Sequence, residues 1–178
     1  AARRGVEYVL NRTRGYGASD NGLDSATLIQ GKLGPNIDLY LSVVLFSQVL
    51  GTLPTTYEQK EVQALLARMS RVISSHQKKS GAFETSYEPM LTTVMAFLAL
   101  RQTHDAGVSV RGASATKVLR YLERDCLNKR TGAFTEAKWN KAVRFVTQAG
   151  ALRVFHGMGK ADTRIGKLAT DVILKMRF

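Results

Sequence analysis

The chain has 178 residues, 44% of them hydrophobic, one cysteine, and 26 basic against 14 acidic side chains, for a net charge of +12. That length and apolar content suffice for one domain with its own core. The lone Cys126 excludes an internal disulfide framework and predicts a reducing intracellular compartment, the cytoplasm or an organelle matrix after removal of a presequence.

Apolar residues recurring at helical spacing predict seven helices, at about 3–13, 36–51, 57–78, 87–103, 113–128, 136–154 and 162–177. Between the first two, Asp20 to Pro35 holds three glycines and is the longest loop candidate, with a floppy insertion or a short extra helix around Ser25 to Ile29 as the alternative. Within it, Asp20-Asn21-Gly22-Leu23-Asp24 reads as a turn. The third helix carries Val62, Leu65, Leu66, Met69, Val72 and Ile73 on one face, and the fourth carries Leu91, Val94, Met95, Leu98 and Ala99. Ser86 and Pro89 mark the start of the fourth, since proline fits a first turn. The apolar runs Leu39–Leu50 and Met90–Leu100 are too short for a bilayer, which takes about 20 residues. No stretch alternates strictly between apolar and polar, so the fold class is all-α.

The chain repeats itself. Gly81-Ala82-Phe83 returns 51 residues later as Gly132-Ala133-Phe134, and Ala99-Leu100-Arg101 returns 52 later as Ala151-Leu152-Arg153. His104 and Gly107 match His156 and Gly159 at the same offset of 52. An amide, Gln77 or Asn128, stands four positions before each glycine. A fainter copy runs from Val6 through Gly15-Tyr16-Gly17. The expected organisation is one domain of antiparallel helix hairpins, with units at about 1–54, 55–110 and 111–160 and a closing helix over 161–178.

The unit, a helix ending in Gln77-Lys78-Lys79-Ser80-Gly81-Ala82-Phe83 and followed by Tyr87-Glu88-Pro89, resembles the repeat of prenyltransferases and squalene or terpenoid cyclases. Asn128 to Phe134 is similar, with asparagine for glutamine. The resemblance implies an α/α toroid, here an open or partial array that a homodimer could complete. It also implies an apolar cavity for an isoprenoid or lipid, bordered by Phe83, Tyr87, Phe134 and Trp139. The family's catalytic signatures do not carry over. The chain has no Asp-x-Asp-Asp, and adjacent Asp125 and Cys126 with His156 lack zinc-ligand spacing.

Other chemistry is sparse. His104 and His156 suit the end of a helix, where a cation meets the dipole. Cys126 sits among leucines beside Asp125, which disfavours a reactive thiolate. Gly157-Met158-Gly159-Lys160 reads as a turn, not a phosphate loop, because no strand or completed motif accompanies it. These readings predict no enzyme, no catalytic residue, no metal and no cofactor.

Charge gives the sharper signal. Residues 1–110 hold 11 Lys and Arg against 9 acids, whereas 111–178 hold 15 against 5. Lys117, Arg120 and Arg124 fall at helical steps, and Lys138, Lys141 and Arg144 repeat the pattern on the next predicted helix. With Lys129 and Arg130 between them, and Tyr121 and Trp139 interleaved, they form a candidate surface for a polyanion. The expected function is a non-enzymatic helical-repeat scaffold or subunit of a larger assembly, docking on RNA or an acidic protein. The alternative is the lipid-binding toroid relative.

Overall fold

A computed structural model describes residues 2–14, 27–83, 86–136 and 141–176. These residues form eight α-helices: α1 (Ala2–Thr13), α2 (Leu28–Leu33), α3 (Ile37–Val49), α4 (Thr56–Ser75), α5 (Pro89–Asp105), α6 (Ala115–Tyr121), α7 (Phe145–Gly157) and α8 (Arg164–Lys175). A 3₁₀ turn, Leu50–Thr52, follows α3, and a π turn, Leu122–Cys126, follows α6. Among the described residues there is no strand, only an isolated bridge between Leu127 and Phe134. None of the described helices is long and apolar enough to cross a membrane.

The pattern of each helix decides its layer. α3, α5 and α7 are apolar around most of their circumference, as helices surrounded by neighbours must be. α1, α4 and α8 carry a single apolar stripe and a wet face. Accordingly α3, α5 and α7 pack side by side as one layer, while α4 bridges α3 and α5, α6 lies on α5, α8 on α7 and α1 on α3. The α4 stripe of Val62, Leu65, Leu66, Met69 and Ile73 is buried as its spacing predicts, and each such side chain stabilises by about 1.5–3 kcal/mol. Phe134 and Phe155 meet edge to face at 5.8 Å in the same core.

The layered helices run parallel, with Glu88 N–H ahead of α5 donating to the Lys32 carbonyl ahead of α3 at 3.1 Å. Arg144 ahead of α7 meets Glu88 ahead of α5 at 2.6 Å, and Arg101 near the end of α5 donates to the Gly157 carbonyl at the end of α7 at 2.8 Å. The repeat is visible in how these helices end. Gly107 (φ +81°) and Gly159 (φ +63°) each close a Schellman turn. In α5 Val108 N–H donates to Thr103 O and Gly107 N–H to His104 O; in α7 Lys160 N–H donates to Phe155 O and Gly159 N–H to His156 O. His104 and His156 both fall in the last turn of their helices, as the dipole argument predicts.

Three expectations need correction. The described residues form eight helices rather than seven, because α2 arises within the glycine-rich insertion, where the alternative of a short extra helix falls slightly earlier, around Ser25 to Ile29. There Thr27 and Gln30 cap each other reciprocally, and Gln30 also donates to Asp38 at 2.6 Å. The helix expected over 113–128 is α-helical only to Tyr121, where it widens into the π turn closed by Leu127 N–H to Leu122 O at 2.9 Å. The helix expected from 136 starts only at Phe145: Glu136 is outside any helix, 141–144 are non-helical, and Arg144 is extended (φ −118°, ψ 146°). Glu136 is drawn instead to the start of α5, and Arg144 to Glu88; local spacing reveals neither contact. Asp20-Asn21-Gly22-Leu23-Asp24 lies outside the described residues, as do Lys138 and Trp139.

Candidate functional site

The glutamine of the repeat sets where the site begins. Gln77, just past α4, accepts from Ser114 N–H at 2.7 Å and donates to Ser114 O at 2.9 Å. Ser114 is the N-cap of α6, its hydroxyl accepting from Lys117 N–H at 3.3 Å, so the end of one unit fixes the start of the next. Gly81 (φ +101°) presses against the Lys117 carbonyl so closely that a Cβ would collide with it. The second unit repeats the device against α8: a Cβ placed on Gly132 (φ +75°) would lie only 2.7 Å from Leu168 Cβ. Asn128 is too short to reach the next unit as Gln77 does, and its side chain accepts from Arg130 and Thr131 N–H within the turn.

These contacts hold α6, its π turn and the start of α8 around an open groove of about 820 Å³. Arg120, Arg124 and Lys129 stand on one side, and Lys160 and Arg164 on the other. All five are exposed. The floor is aliphatic, made by Leu119, Leu127, Ile165 and Leu168, each half-buried. Arg124 is paired with neighbouring Asp125 at 2.6 Å, which raises the guanidinium pKa further. Among the described residues no ion pair joins Arg120, Lys129, Lys160 or Arg164 to an acid, and Glu123 is the acid that lines the groove. Four cations therefore face solvent without internal partners, a positive concavity.

The predicted basic residues are thus only partly brought together. Arg120, Arg124 and Lys129 share the groove; Lys117 and Arg130 are exposed but do not line it. Lys141 is exposed in the extended segment before α7, so the expected second helical ridge does not form. Arg144 is committed elsewhere: its guanidinium lies 2.6 Å from Glu88 and 3.5 Å from Glu136. Tyr121 is buried, and burial beside Cys126 pushes its hydroxyl pKa up, so it presents no face for stacking. Helical spacing does not single out Lys160 and Arg164. The signal for them is the repeat itself, which seats the closing helix against Gly132 as α6 is seated against Gly81.

A second polar cluster lies where α5 begins. Glu136, fully buried, accepts from Met90 N–H at 2.8 Å and Leu91 N–H at 3.3 Å, supplying the helix N-terminus with a carboxylate. Burial nonetheless pushes its pKa up to about 7, against the opposing pull of those N–H groups and of Arg144.

Of the aromatic residues implied by the toroid resemblance, the three that are described do not surround one cavity. Phe83 lines a pocket of about 200 Å³ with Phe97, Val118 and Met158, Phe134 is in the packed core, and Tyr87 is exposed. Among the described residues no three His, Cys, Asp or Glu side chains converge in a way that could hold a metal ion, and Cys126 is buried. Comparison of the chain with protein-family models, curated proteins and solved structures finds no match.

Proposed function

We propose that the protein is a helical-repeat docking module that holds an anionic partner, RNA or an acidic protein surface, in the groove between α6 and α8, without catalysing a reaction. The observation that carries this reading is the gathering of Arg120, Lys129, Lys160 and Arg164 around one concavity with no ion-pair partners of their own. The charge imbalance of residues 111–178, 15 basic against 5 acidic, supports it. A merely solubilising surface would scatter such charges over convex faces.

Fluorescence anisotropy with a labelled single-stranded RNA and with labelled poly-glutamate tests the proposal. Affinity for at least one of them should fall steeply between about 50 mM and 200 mM salt, with a log–log slope of roughly −3 for four contacts on a single strand. The double variant Arg120→Glu/Arg164→Glu should abolish that binding, while Arg3→Glu/Arg4→Glu, on α1, should change it little. Absence of affinity for both polyanions at low salt would overturn the reading.

A further inference from the structure

We propose that the occupant of the groove is an amphipathic helix of a partner protein, with an apolar stripe flanked by Asp and Glu. The proposal rests on the anionic-partner reading and narrows it to one class of ligand.

The floor decides between the classes. Leu119, Leu127, Ile165 and Leu168 present aliphatic surface along the bottom of the groove. Single-stranded nucleic acid gains from aromatic platforms on which bases stack, and no aromatic side chain lines this groove among the described residues. An apolar helix face gains from covering leucine and isoleucine, at about 25 cal/mol for each Å² removed from water.

The walls decide the flanking charge. Arg120 and Arg124 rise from α6 and its π turn, Lys160 from the turn that closes α7 and Arg164 from the first residue of α8, so cations stand on both sides of the apolar floor. A helix whose apolar stripe is bordered by carboxylates on both edges matches that cross-section. Glu123 is a single opposing charge among five cations.

Rigidity agrees. The two sides of the groove are held in register by the tight contact of Gly132 with Leu168, so little ordering cost falls on the module when a ligand arrives.

The test uses two labelled peptides of about 16 residues, some 24 Å as helix, identical in composition. One places Leu at i, i+3, i+4 and i+7 with Glu on either side; the other scrambles that order. A single-stranded RNA of matched charge is the third probe. The amphipathic peptide should bind at least about tenfold more tightly than its scramble and gain helicity on binding by circular dichroism. Ile165→Gln should weaken the amphipathic peptide about tenfold and leave RNA unaffected. Should Ile165→Gln fail to fold, Ile165→Ala serves the same comparison. Equal binding of both peptides, weakened equally by Arg164→Glu, would sink the helix proposal and leave the anionic-partner reading standing. RNA bound more tightly than either peptide, blind to Ile165→Gln, would assign the groove to nucleic acid. No binding of any probe would remove both.

Discussion

The two glycines of the repeated Gly-Ala-Phe segments are where single atoms matter most. Both have positive φ and both face the first helix of the following unit at a distance with no room for a side chain, so backbone conformation and space demand the same residue. Gly132→Ala is expected to cost well over about 1 kcal/mol, since left-handed strain adds to displacement of Leu168; urea unfolding would measure it. Gln77→Ala should cost about 1–3 kcal/mol by orphaning both backbone groups of Ser114, and Gln77→Glu should recover only the bond from Ser114 N–H. Glu136 yields a pH dependence of definite sign. Its pKa rises from the ordinary 4.5 to about 7 in the fold, so the folded state binds this proton more tightly than the unfolded chain. Its contribution to stability is therefore complete below about pH 4.5 and is lost as pH rises through about 7. Glu136→Gln should flatten that part of the stability–pH curve, followed by chemical denaturation across the window.

At the scale of the element, capping boxes start both α2 and α4, although the apolar spacing predicts only α4. Thr55 and Glu58 form a capping box at the start of α4, with Thr55 accepting from Glu58 N–H at 3.1 Å. Thr55→Ala should lower stability by about 1 kcal/mol in thermal denaturation and leave groove binding unchanged. The stripe of α4, the proline start of α5 and the histidine-to-glycine helix ends are all legible, because each depends on residues within a turn or two of one another. The start of α7 is not. Its N-cap, Arg144, makes no side-chain cap bond and pairs instead with Glu88, 56 residues away. The π turn after α6 is equally invisible, since Leu122 to Cys126 has ordinary helical composition. The groove is half legible: periodicity on α6 points to Arg120 and Arg124, but Lys160 and Arg164 join them only through the docking of α8.

Across the whole molecule, the parallel layer of α3, α5 and α7 makes each hairpin depend on its neighbour. Unfolding should therefore be a single cooperative transition, coincident by far-ultraviolet circular dichroism and by amide exchange of α5. Two separated transitions would mean that the units stand alone. The shared direction of the layer has an electrical consequence. Peptide dipoles that point the same way reinforce one another, so one rim of the array is positively polarised and the other negatively. Asp38 in the first turn of α3 and Glu88 with Glu136 at the head of α5 counter the first rim, and His104 and His156 counter the second. The first turn of α7 has no acid of its own, and the carboxylate that serves α5 is handed across from the succeeding unit. By this rule a helix of the layer borrows its countercharge from the hairpin that follows, so Glu136 ties the polarity of one unit to the presence of the next.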